Sequence, residues 1–461
     1  MEKYFESVDK SVREYQDEIC KLSDSIWDLS EVAFCEHKSS KLMMEELKKH
    51  GFSITSPIAA IPTAFSASFG SGHPVVAFLA EYDSLSNLSQ KADSTQQEAI
   101  VEGESGHGCG HNILGAGCFG AAIAVKDYIE KNNMPGTVIL FGCPAEEGGS
   151  GKTFMARSGA FDDVDIALSW HPDSANAVHS GSTLAGVSMR YVFNGKAAHA
   201  AGCPHLGRSA LDAVELMNVG CNYLREHIIP EARVHYAVTD TGGHAPNIVQ
   251  AHAESVYLIR APKNEQVAEI TERMNDIARG AALMTGTEVE IVFRKACSYF
   301  VPNTTVSYDL YEAMKTVPLP AYTDDDFDYA QSFRETYVSE KEDKKESLFD
   351  TLIPYAPSNN VMTGSTDVSD VSMNCPTAWF FAATYAKGTP FHSWQMVAQG
   401  KSNVAHKGLI YASKVMALTA VSFLNDPEKV KKAKEELLVN RGTTEYICPI
   451  PDHVAPEIPK E

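Results

Sequence analysis

Apolar residues fall into two rhythms along this chain. Over residues 1–50 the repeat is helical: Leu22, Ile26, Leu29, Val32 and Phe34 recur near helical spacing, then Leu42, Met43 and Leu47 do so again, and Gly51 closes the run. Short, nearly all-apolar runs follow at 64–69, 75–80, 137–141, 166–168 and 378–384, too short for helices and too uniformly apolar for a half-exposed strand. Between them, residues 112–130 read as a buried Ala- and Gly-rich helix, and Pro135-Gly136 turns into the next strand. Helices alternating with fully apolar strands predict an α/β sheet covered on both faces. Residues 84–106 break the pattern as a long polar stretch, the length at which a loop is often a lid or binding loop.

Near Ala185-Gly186 the rhythm changes. A strand-like run at 187–193 leads to a helix from Ser209 with Leu211, Val214, Met217, Cys221 and Leu224 on one face. Strand-like runs at 233–238 and 253–260 follow, then a helix from Asn264 presenting Val267, Ile270, Met274 and Ile277, then a strand at 289–293. This β-α-β-β-α-β order is ferredoxin-like. The expected organisation is a first domain made of 1–185 and 297–425, an insertion at 186–296, and a tail at 426–461 that begins as a charged helix and ends loose and Pro-rich. Residues 323–346 are strongly charged and read as a solvated helix or loop.

Charge narrows the function. The chain of 461 residues carries 39 Lys+Arg against 60 Asp+Glu, a net charge of −21. That disfavours nucleic acid and anionic membrane surfaces as partners. No apolar run reaches the ~18–20 residues of a membrane span, and the charged N-terminus lacks a signal-peptide core, so a cytoplasmic protein is expected. The ten Cys are scattered with no CxxC pair, a pattern of free thiols rather than of a disulfide framework.

Four clusters carry chemistry, each in a loop that follows a predicted strand. Gly106-His107-Gly108-Cys109-Gly110-His111 opens a helix, and its Cys and His, two apart on a Gly-rich turn, can face one metal. Pro144-Ala145-Glu146-Glu147-Gly148-Gly149 puts two carboxylates at a strand end, one for metal and one for a water, whose proton a Glu can take. Ser169-Trp170-His171-Pro172 and Pro390-Phe391-His392-Ser393-Trp394 each supply one imidazole. Taken together, Cys109, His111, Glu147, His171 and His392 form a nitrogen, oxygen and sulfur donor set. Gly151-Lys152-Thr153 mimics the end of a phosphate-binding loop, but the position of that motif's first Gly holds Glu146, which would repel phosphate.

With these motifs, and with Ala80-Glu81-Tyr82-Asp83, Gly195-Lys196-Ala197-Ala198-His199, the run 364–372 and the run 392–408, the chain resembles the dinuclear metallopeptidase and amidohydrolase family of carboxypeptidase G, the aminoacylases and the auxin-conjugate hydrolases. Within it, the likeness is to the branch acting on p-aminobenzoyl-glutamate and to relatives acting on β-alanyl dipeptides. The resemblance implies a zinc-exopeptidase-like catalytic domain, a mixed sheet flanked by helices, with the insertion as a lid that also makes a homodimer. It implies two divalent ions, Mn or Zn, with Glu146 as general acid/base. It implies that His199 reaches a partner's site to stabilise an oxyanion, and that Asn247 helps hold substrate. Glu81-Tyr82-Asp83 stands where other branches carry a His-x-Asp pair, so Asp83 either orients a ligand or serves a turn. His107 is a candidate to brace the ligands from outside, and His406 reads as structural or substrate-facing.

The expected activity is hydrolysis of an N-acyl or N-aroyl amino acid, p-aminobenzoyl-glutamate first. Arg260, Ser365, Thr366 and Trp394 join Asn247 as substrate contacts. The alternatives are a dipeptidase on β-alanyl or other Xaa-Lys dipeptides, and a non-catalytic metal-binding or chaperone-like protein. A second, different chain is a possible partner.

Overall fold

A computed structural model describes residues 1–338, 344–442 and 445–459. Its strands are β1 (Ser53–Thr55), β2 (Phe65–Ser71), β3 (Val75–Ala80), β4 (Gly136–Gly142), β5 (Ile166–Asp173), β6 (Ala177–Val178), β7 (Ser182–Thr183), β8 (Ala185–Asn194), β9 (Arg233–Asp240), β10 (His252–Ala261), β11 (Glu288–Cys297), β12 (Val361–Met362) and β13 (Thr377–Ala383). The main sheet has the order β1-β2-β4-β3-β5-β13-β6. Its centre, β4-β3-β5-β13, is parallel, and antiparallel strands close both sides. The sheet is therefore mixed, as expected, and the parallel strands explain why the predicted runs lack alternation: every residue of β3 is buried.

Helices cover this sheet. His111–Asn132 and Asn403–Leu424 pack on each other and on its strands. The second is long and apolar enough to cross a membrane by length and composition, yet 89% of its most apolar window is buried inside the protein. It is a core helix, pinned by Ser402, whose hydroxyl accepts from the Ala405 N–H at the helix start.

The second sheet has the order β11-β8-β10-β9, all antiparallel, with helices Ala210–Leu224 and Asn264–Thr285 against one face. This is the ferredoxin-like order that the sequence predicted. β10 alternates strictly between half-buried and buried residues, because only one face is covered by helices.

Two expectations change, and one holds where it is described. Residues 84–106 contain no helix or strand, but they are folded: Leu85 and Gly106 pair through both backbone N–H groups, and Asp93 N–H donates to the Ala398 carbonyl. The loop braces Gly106 directly ahead of the His107–His111 turn and contributes no lining to the main cavity described below. In the charged stretch, Asp324–Arg334 is a helix capped by Thr323, while 339–343 lie outside the described residues. The tail forms the helix Pro427–Arg441 and is then tied down rather than loose. Arg157 donates to the carbonyls of Pro451 (2.8 Å) and Val454 (2.9 Å), and Ile450 is buried.

Gly117 shows how tightly the helix His111–Asn132 meets β5. A Cβ there would lie 2.6–2.8 Å from the Trp170 indole, which is itself held by its Nε1–H on the Leu114 carbonyl. Gly117→Ala is expected to cost about 1–3 kcal/mol by overpacking. A urea unfolding midpoint unchanged from the parent would show that the contact relaxes freely.

Candidate metal centre

The carboxyl ends of the four parallel strands converge on one place. Glu81 and Asp83 follow β3, Glu146 and Glu147 follow β4, His171 lies near the end of β5, and His392 comes from the loop beyond β13. Cys109 and His111 enter from the turn that starts the helix His111–Asn132. Gly110 makes that entry possible: it caps the helix at φ 78°, and a Cβ there would collide with the Tyr385 hydroxyl.

The donors meet closely. Ligand atoms of Cys109, His111 and His171 lie within 4.8 Å of one another, as do those of Cys109, Glu147 and His392, and those of His111, Glu146 and Glu147. All five residues of the sequence-derived donor set are therefore together, with Cys109 shared between two groups. Cys109 Sγ is 3.4 Å from His171 Nε2, and His392 Nε2 is 3.4 Å from Glu147 Oε1.

Hydrogen bonds from Nδ1 fix two of the imidazoles so that Nε2 is the atom turned toward the donor cluster. His111 donates from Nδ1 to Asp83 Oδ1 at 2.8 Å, and His171 donates from Nδ1 to the Pro172 carbonyl at 2.8 Å. Asp83 Oδ2 also accepts from the Glu147 N–H at 2.9 Å. His111 Nε2 and Glu147 Oε1 are buried without a hydrogen-bond partner. Unpaired buried polar atoms on a nitrogen, oxygen and sulfur donor set are what a divalent cation satisfies, so the residues present fit a metal.

The electrostatics agree. Burial pushes the Cys109 thiol well above its ordinary value, and the Glu147 charge adds to this, so only a cation would favour the thiolate. Burial opposes the charge on Glu147, yet the His392 ring 3.4 Å away and the nearby His111 pull its carboxyl down to about 2. Glu146 goes the other way: burial, then the charges of Glu81, Glu147 and Asp367, push it well above the carboxylate range. Two adjacent Glu residues thus part in proton affinity, one suited to binding a cation and one to carrying a proton.

Residues that sequence reasoning missed complete the surroundings. Lys152, fully buried, holds Glu81 Oε1 at 2.8 Å and Asp367 Oδ1 at 2.5 Å. Glu81 Oε2 is 3.2 Å from His111 Nε2. Glu36 accepts from the Ala145 and Phe34 N–H groups and from the Thr63 hydroxyl, bracing the Glu146 loop. The one signal available was their motif company: Lys152 sits in the false phosphate loop and Asp367 in the run 364–372.

A cavity of about 570 Å³ opens beside the donors. Glu146, His171 and His392 line it from the main sheet, and Arg260, Lys295, Ser365 and Thr366 line it from the other side. Arg260, Ser365 and Thr366 are thus where the sequence put them. Trp394 is not: it starts a short helix and packs against Ala330, Phe333 and Ala398. His199 and Asn247 lie outside the cavity, exposed together at a loop pair where the Ala200 N–H donates to the Asn247 carbonyl. His107 donates from Nε2 to the Ile26 carbonyl at 3.1 Å and so anchors the turn to an N-terminal helix. His406 is structural, paired with Asp24 at 2.8 Å away from the cavity.

Known proteins share this sequence and this fold. The model of the family described as Peptidase family M20/M25/M40 matches residues 77–384. The chain is 44% identical to one of the p-aminobenzoyl-glutamate hydrolase subunits of Escherichia coli over 99% of both chains. It is 29% identical to Xaa-Arg dipeptidase of Mus musculus over 90% of this chain and 88% of that one. A dinuclear metal binding peptidase of the M20 family from Bacillus subtilis superposes with a TM-score of 0.56 at 17% identity, covering 90% of this chain and 99% of that one.

Asp83→Ala is expected to weaken Zn or Mn binding ~10–100-fold in equilibrium dialysis, because it frees the His111 ring and the Glu147 loop. Affinity is also expected to rise with pH. The Cys109 thiol is raised by burial, and His111 is raised by Cys109 and Asp83 against the opposing effect of its own burial, so both shed a proton on ligation. Calorimetry in buffers of different ionisation enthalpy reads that release; metal uptake with no proton release would remove both residues from the ligand set.

Proposed function

The chain belongs to peptidase family M20/M25/M40, a metal-dependent amidohydrolase by that membership, and we propose that it hydrolyses the amide of N-aroyl amino acids, p-aminobenzoyl-glutamate first among them. The observation that carries this reading is a cavity lined by the donor cluster and Glu146 together with Arg260 and Ser365, each of which keeps one polar atom without a partner among the described residues. Among the described residues Arg260 Nε and Ser365 Oγ are both buried without hydrogen-bond partners, while Arg260 Nη1 donates to the Thr363 carbonyl at 3.3 Å. Both side chains lie within 4 Å of the position a Cβ on Gly186 would take, so they are neighbours. A substrate carboxylate would satisfy both. The Xaa-Arg dipeptidase relative favours a second reading, in which a cationic residue is released instead.

Two divalent ions, Zn or Mn, would be held by Cys109, His111, Glu147, His171 and His392. When bound they supply Lewis acidity to the amide carbonyl and lower the pKa of the attacking water. Glu146 takes the proton of that water and delivers it to the leaving amine. A carboxyl whose proton affinity is raised by burial is suited to holding the proton between those two events. Lys152 keeps Glu81 and Asp367 paired, which limits the negative charge that Glu146 meets.

The working form in this reading is a homodimer. β9 is an open edge of its sheet, with Tyr236 and Val238 exposed, and the neighbouring helix exposes Leu216, Val219 and Tyr223. His199 does not line its own cavity, which supports an oxyanion role performed in the cavity of a partner.

Glu146→Gln is expected to lose ~10²–10⁴-fold in kcat with bound metal unchanged. The assay is chromatography of p-aminobenzoyl-glutamate, N-acetyl amino acids and β-alanyl-lysine with the Zn- or Mn-loaded enzyme. A best rate on β-alanyl-lysine selects the dipeptidase reading, and no turnover of any member sinks both. His199→Ala and Glu146→Gln chains, each inactive alone, are expected on mixing to recover about a quarter of the parental activity, since statistical exchange leaves one intact site in each mixed dimer. No recovery despite chain exchange would keep His199 out of the partner's site.

A further inference from the structure

β13 lines the cavity with two aromatic residues. Along Thr377–Ala383, residues two apart share a face, so Trp379 and Phe381 point the same way. The parallel register sets Trp379 beside Ser169 and Phe381 beside His171, and all four line the cavity. An aromatic wall therefore starts at the donor cluster and runs back along the strand. The two rings lie 5.0 Å apart between centroids.

The wall is backed and stiffened. His179 donates its backbone N–H to the Trp379 carbonyl at 3.0 Å and stacks its ring on the indole at 4.3 Å, with 28° between the planes. Phe300 meets the His179 ring edge-on at 5.6 Å. Burial holds the His179 ring down at about 4, so the stack is uncharged at neutral pH. Trp379 is 7% exposed, and its Nε1–H has no hydrogen-bond partner. The indole is thus held in one orientation by packing, with its ring system forming part of the cavity wall.

We propose that Trp379 and Phe381 form the acyl-side subsite, which holds a flat aromatic acyl group while the scissile amide lies at the donor cluster. His179 is a positioning residue that fixes the indole. The proposal rests on the amidohydrolase reading and adds the residues that choose the acyl group. An aliphatic acyl group could cover the same apolar surface, but it would gain nothing from stacking on the flat rings.

The test compares p-aminobenzoyl-glutamate, benzoyl-glutamate and acetyl-glutamate as substrates of the metal-loaded enzyme. Trp379→Leu is expected to lose ~10–100-fold in kcat/KM on both aroyl substrates and less than ~3-fold on acetyl-glutamate. Trp379→Phe, which keeps a ring, is expected to retain most of the aroyl rate. An equal loss on all three substrates, or no loss on any, would overturn the subsite. Binding separates this from the catalytic reading: in a Glu146→Gln background, p-aminobenzoate affinity by calorimetry is expected to fall by a similar factor on Trp379→Leu. Unchanged affinity overturns the subsite whether or not the parent turns over any amide. A parent that binds p-aminobenzoate through Trp379 yet cleaves none of the three would overturn the amidohydrolase reading alone.

Discussion

One buried carboxylate joins the parts of this site that the sequence keeps apart. Asp83 leaves β3, accepts from the His111 ring on one oxygen, and accepts from the Glu147 backbone on the other. It therefore sets a ligand's tautomer and the position of a ligand-bearing loop at once. Glu36 does similar work one layer below, accepting from the Ala145 and Phe34 N–H groups. Burial and the charge on Asp83 push its carboxyl up to about 8. Ala145, at φ 60°, lies in the left-handed region, as does His392 at φ 56°. Such conformations cost about 1–3 kcal/mol each for a non-glycine residue and persist where surrounding bonds dictate them. Here those bonds are the Glu36 contact to the Ala145 N–H and the His392 N–H donating to the Gly108 carbonyl.

The same crowding of carboxylates explains the buried lysine. Glu81, Asp83, Glu146, Glu147 and Asp367 surround a small volume, and like charges in a dry site repel strongly. Lys152 offsets two of them directly, and cations at the donor cluster would offset the rest. Gly151-Lys152-Thr153 thus does the opposite of what its likeness to a phosphate loop suggests. Its ammonium meets Asp367, and its Thr153 hydroxyl meets Asp370 at 2.7 Å. The motif binds carboxylates already in the chain, which leaves no cradle for an added anion.

How much of this was readable depends on range. Strand ends, the ferredoxin-like order and the five candidate donors that the structure brings together were readable, because each rests on local periodicity or on chemically distinctive residues within a few positions. The Lys152–Asp367 pair spans 215 positions and the Glu36–Ala145 bond 109, and neither leaves a local pattern. Trp394 was misplaced because proximity to His392 along the chain says nothing about direction. Its side chain turns into a separate apolar cluster with Phe333. The tail after Arg441 read as loose from its prolines, yet prolines lower the entropy lost on docking, and Arg157 supplies the donors that dock it.

Net charge illustrates the limit of global arguments. At −21 the chain as a whole repels an acidic substrate, which favours a cationic product or substrate if charge alone is weighed. That field is screened beyond roughly 8–10 Å at physiological ionic strength. Inside the cavity the balance is set by contact. Arg260 and Lys295 line one side, and Lys295 is spent on the Glu147 carbonyl at 2.9 Å. Arg260 has its Nε unpaired, with the Ser365 hydroxyl beside it. A charge-assisted bond to the half-buried Arg260 guanidinium acts at contact distance, whereas the surface field is screened by water and salt, so contact outweighs the field. The free groups of the cavity, rather than the sum over the surface, therefore decide which end of a substrate is recognised, and they favour a carboxylate.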